Sequence, residues 1–487
     1  MLKIDPLRPL PHPGGRWLTW VLPISFLLGI SQAGCAPANP AQARRVTLTL
    51  QVERKQQVWE GFGASGAWWA QDIGGWEEEK RQRIIDLLFD RQDGIGLSVY
   101  RYAIGAGEVS QGIHDPWRKA ETFEVSPGVY DWSRDANARW VLRAARDAGV
   151  ETLLAFANSP PGRMTVSGDT SGASQGGSNL KPGLAADFAG YLVDIVAHLR
   201  EVEGIPIAYI SPINEPQWDW NPSKGQEGCH YEPEEVAAVT KALLRAIEMR
   251  GLAVKVSVFE SGEWKMKSNR AYIAALLSDP EIAGRLDHLA IHSYWSADPD
   301  KTRLARFLDR EYPATKIWMT EWTEMQGGRD SGMESALVLA NTIHADLTGA
   351  GVTSWQYWIA VSAYDYHDGL VYVDLATRRI TETRRLWALG NYSRFIRPGY
   401  VRVEVKSPRN GPRVTAFQSP DGHSLVIVAI NNSAAPVQAA LNLPGGYRHL
   451  SVYETSPEHG LAAVFAGPPG DVLSLAPLSV TTLLFEQ

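Results

Sequence analysis

From about residue 46 the chain alternates between two hydrophobic patterns. One is a near-continuous apolar run of roughly five to eight residues, as expected of a strand buried on both faces. The other is a longer stretch with apolar positions three and four apart, as expected of a helix with one buried side. The first strand lies in VWEGFGASGAWW, and the helical EEEKRQRIIDLLFD follows it. GLSVYRYAIG precedes SRDANARWVLRAARDAG, a helix with a Ser start and a Gly stop. ETLLAFANSPP is the third strand, and a Gly/Ser-rich loop separates it from the next helix. Further strands are IAYISPINEP, AVKVSVFESG, LDHLAIHSYW, KIWMTEWTEM and TSWQYWIAVS, with helical stretches between them. Eight such strands predict parallel pairing and closure into an α/β, (β/α)8 TIM barrel over residues 59–394. A doubly wound open sheet is the alternative, but no Gly-rich phosphate loop opens the first helix.

After Phe395 the pattern changes to short strands divided by Pro, Gly and Asn turns: VRVEVKS, RVTAFQS, SLVIVAINN, AALNLP, LSVYET, TTLLFEQ. That is the pattern of an all-β sandwich. RRVTLTLQVE is a strand ahead of the barrel, so residues 46–58 and 395–487 are expected to form one side domain from both ends of the chain.

Residues 1–35 read as a leader, with Lys3, Arg8 and Arg16 ahead of the nearly uncharged WLTWVLPISFLLGISQA. Pro23 interrupts a run shorter than the ~20 apolar residues of a membrane span. The small residues before Cys35 resemble a bacterial lipoprotein cleavage site, although Gln32 stands where Leu is usual; cleavage after Ala33 or Ala38 is the alternative. Residues 36–45 read as a linker. The protein is therefore expected to be exported: secreted, periplasmic or held at the cell envelope, with Cys35 lipid as its one membrane link.

A net charge of −7 and the lack of long basic runs past the N-terminus argue against nucleic acid as a partner. Two cysteines, Cys35 and Cys229, make neither a disulfide framework nor a metal cluster. Cys229 reads as a buried thiol. The 18 Trp and 17 Tyr residues raise the possibility of a carbohydrate partner, because flat apolar rings with a polar edge match sugar faces.

In such a barrel, chemistry sits at the C-terminal strand ends. Those ends carry Arg101, Asn158, Asn214-Glu215-Pro216, Glu260, His292-Ser293-Tyr294, Thr320-Glu321-Trp322 and, on the last strand, Trp355 and Trp358. Glu215 and Glu321 come from strands facing each other across the mouth. A close carboxylate pair suits glycoside hydrolysis, one acid protonating the leaving oxygen and one carboxylate attacking. Pro216 is expected to hold Glu215 extended. Asn214 can donate to a sugar hydroxyl, while Trp218 and Trp220, and more weakly Trp68 and Trp69, are candidate stacking platforms. Glu260 is the rival carboxylate and reads better as a structural acid. His292 reads as a hydrogen-bonding support, and Glu263 and Glu324 as solvated. No His/Asp/Glu set has metal spacing, and no cofactor is implied.

The motifs GFGASGAWW, NEPQW, IHSYW, MTEW and ALGNYSRFIRPGYVRV resemble those of glycoside hydrolase family 30, within the clan of retaining (β/α)8 glycosidases, over about residues 46–487. The resemblance implies that Glu215 is the acid/base, Glu321 the nucleophile, and Tyr294 a hydrogen-bond donor to that nucleophile. It also implies that Asn214, Arg101 and Trp358 line the site of the sugar being cleaved. NEPQWDW followed by QEGCHYEP is most similar to the endo-β-1,6-galactanase group, against glucosylceramidase-like and glucuronoxylanase members. The loop SAYDYHDGLVY offers Tyr364, Tyr366 and His367 but no Arg, which counts against a glucuronate-binding site. A carbohydrate-binding protein on an inactive barrel, and a transglycosylase using the same glutamates, are the competing readings.

Overall fold

A computed structural model describes residues 44–107, 110–443, 445–470 and 472–487. The expected leader, Cys35 and nearly all of the linker lie outside the described residues. The first strand, β1 (Arg44–Val58), begins two residues before the expected boundary. Among the described residues no helix is long and apolar enough to cross a membrane.

The barrel strands are β2 (Gly61–Ser65), β3 (Val99–Ile104), β4 (Thr152–Ala157), β5 (Ile207–Ser211), β6 (Lys255–Val256), β7 (Val258–Glu263), β8 (His288–Tyr294), β9 (Lys316–Met319) and β10 (Ser354–Ile359). Every pairing among them is parallel. The sheet runs β6-β5-β4-β3-β2-β10-β9-β8-β7. β6 and β7 are two parts of one strand broken at Ser257: the first pairs with β5, the second with β8, so the ring closes as an eightfold barrel. β2, β8 and β10 are buried at every position, as strands packed between a filled lumen and an outer helix layer must be.

The side domain is one continuous nine-stranded sheet, with β1 inside it rather than at an edge. β1 pairs antiparallel with Val401–Lys406 and parallel with Val437–Asn442. Its period-two pattern buries Val46, Leu48 and Leu50 in a core shared with Ile427, Leu450 and Phe485. Trp59, fully buried, joins the two units: it packs on Phe62 (4.3 Å) and Phe417 (5.8 Å), and its backbone bonds to Gly399 and Tyr400.

Candidate active site

Glu215 and Glu321 converge at the barrel mouth. Single ligating atoms of Glu215, His292 and Glu321 all lie within 4.8 Å of one another. Both carboxylates are buried. That spacing fits the ~5–5.5 Å separation of a nucleophile and an acid/base acting on one acetal carbon.

The two carboxylates have unequal surroundings. Glu321 receives Arg101 Nη1 on Oε2 (2.9 Å) and Tyr294 Oη on Oε1 (3.2 Å). Glu215 receives His292 Nδ1 on Oε1 (3.1 Å), and among the described residues no side chain donates to its Oε2. The Glu215 backbone is not extended as expected from Pro216: φ is +46°, in the left-handed region. Two hydrogen bonds override the proline preference: its N–H donates to the Glu260 carbonyl (2.9 Å) on another strand, and its carbonyl accepts Trp220 Nε1 (2.9 Å) within the same loop. Glu260 (+58°), Trp68 (+52°) and Trp295 (+43°) share that strained region, which concentrates strain at the site.

Beneath the pair lies a fully buried charge network. Glu260 accepts Ser211 Oγ (2.8 Å), His292 Nε2 (3.2 Å) and Thr320 Oγ1, with Arg101 Nη2 3.6 Å away. Burial opposes its ionisation, but the Arg101 charge and the His292 and Thr320 bonds prevail and bring its pKa to about 2. With these partners Glu260 is a structural acid. Burial likewise disfavours a charged His292, yet Glu321, Glu215 and Glu260 together push it up to about 9. Burial also pushes Glu321 above the ordinary range, with His292 and Arg101 pulling back. Both His292 ring nitrogens lie within hydrogen-bond distance of a carboxylate, Nδ1 of Glu215 (3.1 Å) and Nε2 of Glu260 (3.2 Å).

Linkage sets the signs of the resulting pH dependence. His292, raised from 6.5 to about 9, stabilises the fold below pH 6.5, and that contribution disappears as pH climbs toward 9. Glu260, lowered from 4.5 to about 2, contributes above pH 4.5 and ceases to as pH falls toward 2. Thermal midpoints should therefore decline from pH 6.5 to 9, and His292→Asn should flatten that decline. An equally steep decline in the variant would show that other groups cause it.

A cavity of about 580 Å³ opens above the carboxylates, walled by Asn158, Asn214, Trp220, Tyr294, Trp358 and Tyr366 among others. The Asn214 Oδ1 accepts Arg101 Nη2 (3.0 Å), which leaves its amide N–H groups for a ligand. Several expected contacts sit elsewhere. Arg101 is fully buried behind Glu321, stacked on Phe156 at 3.6 Å, and does not line the cavity. His292 is equally buried and meets the carboxylates of Glu215 and Glu260. Trp69 is a core residue, its indole N–H taken by the Ser65 carbonyl (2.8 Å), whereas its neighbour Trp68 does reach the cavity. Trp220 is mostly buried, and a side chain at Gly228 would collide with its indole ring, so it chiefly anchors the Glu215 carbonyl. Trp218 is not part of the cavity wall; it packs beside Gly262 and Trp295.

Glu263 is buried, not solvated: Ser268 Oγ (2.5 Å) and Lys265 satisfy it. Cys229 is buried as expected, and burial raises its pKa to about 12. Sequence reasoning also missed a cavity cation. Arg118 arrives from the loop after β3, donates Nε to Tyr364 Oη (2.9 Å) and lies 4.5 Å over the Trp68 ring. Trp295, quoted within IHSYW but given no role, lines the cavity too.

A (β/α)8 barrel that opposes two buried carboxylates at its C-terminal mouth, inside an aromatic-walled cavity, has the architecture and chemistry of a glycoside hydrolase. The chain belongs to O-glycosyl hydrolase family 30, whose family model matches residues 45–372. It is 25% identical over 418 residues to an endo-β-1,6-galactanase of Hypocrea rufa, covering 80% of this chain and 82% of the relative. Similarity to glucuronoxylanase XynC of Bacillus subtilis (strain 168) is 24% over 422 residues, covering 82% and 81%. Among solved structures, a conserved exported protein from Bacteroides fragilis superposes with a TM-score of 0.81 at 28% identity, covering 90% of this chain and all of the other. Membership of this hydrolase family makes the substrate of this chain a carbohydrate.

Proposed function

We propose that the protein is an exported, retaining endo-β-1,6-galactanase, with Glu321 as nucleophile and Glu215 as acid/base. The observation that carries the mechanism is the asymmetry of the close carboxylate pair. Glu321 has a donor on each oxygen, which orients it for attack and offsets part of the burial that raises its pKa. Glu215 has one oxygen free to hold the proton that the leaving group needs. In the first step the C1–O bond breaks, its oxygen takes the Glu215 proton, and Glu321 bonds to C1. In the second, Glu215 accepts a proton from water, whose oxygen replaces Glu321 at C1. Asn214, Asn158 and Trp358 would position the sugar undergoing attack. Tyr294 and Arg101 would hold Glu321, and His292 would hold Glu215.

The galactanase assignment rests on similarity to the Hypocrea rufa enzyme across most of both chains. A xylanase-type reading has support from the glucuronoxylanase similarity, and Arg118 supplies a cavity cation that the loop after β10 lacks. Export, with Cys35 as a possible lipid anchor, is proposed from the leader pattern. Digestion of a panel of defined glycans tests specificity: β-1,6-galactan should be cut internally, with the β-anomer as first product. Survival of that galactan while a xylan or β-glucoside is cut would replace the substrate. A first-formed α-anomer would exclude double displacement.

A further inference from the structure

Trp295 follows β8 directly and has a combination of properties found at no other tryptophan among the described residues: it lines the cavity and is 47% exposed. Its backbone adopts φ +43°, a conformation that bulky side chains avoid. Two rings fix the exposed indole. Trp218 meets it edge-on, with centroids 5.5 Å apart and planes at 89°, and Tyr294 packs at 5.3 Å. An exposed apolar ring held rigidly in a strained backbone is a surface prepared for a flat apolar partner.

The position of this ring relative to the carboxylates gives it a direction. A methyl group placed on Gly262 would lie 2.7 Å from Glu215 Oε1 and 2.6 Å from Trp218 Nε1, so the Glu215 carboxyl and the Trp218 indole are neighbours above one glycine. Trp295 is built onto that indole, and therefore stands near Glu215. On the reading that Glu215 protonates the leaving oxygen, the group that departs must extend from this side.

We propose that Trp295 is the stacking platform for the departing sugar ring: a binding subsite for a pyranose C–H face on the leaving-group side of the scissile bond. This inference rests on the proposed assignment of Glu215. It deepens that assignment by giving the bound glycan a polarity and by requiring a sugar, not merely an oxygen, in the leaving position.

Two substrates with the same donor sugar separate the platform from the catalytic pair. One is a trisaccharide of the linkage selected by the glycan panel. The other is the matching glycosyl fluoride, whose leaving group is too small to reach the indole. Trp295→Ala should lower the ratio of kcat/KM for trisaccharide over fluoride about tenfold, and Trp295→Tyr should recover most of that ratio, because a ring face is what is lost. An unchanged ratio, whether both reactions fall together or neither falls, would overturn the subsite. If the wild type turns over neither compound, the hydrolase reading fails and this inference with it.

Discussion

Glu321→Ala is expected to lower kcat on any glycoside by about 10⁴-fold or more, the scale on which enzymes lose a group that bonds to the substrate. The loss should be independent of leaving group, because no glycosyl-enzyme can form. The cavity left by the side chain offers a sharper measurement. Azide entering it would attack C1 from the face Glu321 occupied, and an activated glycoside should then yield the α-glycosyl azide. Nuclear magnetic resonance of that product reads the face directly. A β-azide would mean that the nucleophile and acid/base were exchanged, and substantial residual hydrolysis would point to another attacking group. Truncation also removes one of the Arg101 partners, leaving that buried guanidinium with Asn214 at 3.0 Å and Glu260 at 3.6 Å. Glu321→Gln is therefore the companion variant: it keeps the volume and an acceptor while removing the charge.

Legibility of the fold followed the range of the interactions involved. Barrel strands could be read because both faces are buried, so composition alone marks β2, β8 and β10. Glu215 and Glu321 could be read because a strand end is a local feature and the barrel rule turns strand ends into one site. That β1 joins the C-terminal β domain could be suspected, but its partner Val437–Asn442, their parallel sense and its interior place in the sheet depend on residues almost 400 positions away. Adjacent tryptophans were harder still. Trp68 and Trp69 differ by one position, yet φ +52° at Trp68 turns it into the cavity while Trp69 bonds inward to Ser65. Arg118 lies in a long loop with no period to read, and only the fold brings it against Tyr364, nearly 250 residues on. The backbone of Glu215 shows the same limit. Proline at the next position favours an extended residue, and a hydrogen bond to Glu260, 45 residues on, together with one from the nearby Trp220 indole reverses that preference.

Glu215→Ala should produce a different defect, and the difference is what separates an acid/base from a nucleophile. An alkoxide from a natural glycan is a poor leaving group and needs its proton. Hydrolysis of such a substrate should therefore fall by about 10³- to 10⁴-fold, near the upper range of general acid catalysis. A dinitrophenyl leaving group needs no proton, so glycosylation by the intact Glu321 should continue. Water attack in the second step still lacks its base, and the glycosyl-enzyme should accumulate: a burst of dinitrophenol followed by slow turnover. Azide needs no base either, and it should relieve the slow phase and give the β-glycosyl azide, opposite in configuration to the Glu321→Ala product. The His292 network makes this test informative, since His292 loses its Nδ1 acceptor on Glu215 but keeps Glu260 on Nε2 at 3.2 Å and Glu321 within 3.7 Å of Nδ1. The imidazole thus retains charged partners that hold it in place, and Glu321 keeps its Arg101 and Tyr294 donors at 2.9 and 3.2 Å. Equal losses on the natural and the dinitrophenyl substrate, without a burst, would mean that Glu215 supports the site but does not transfer the proton.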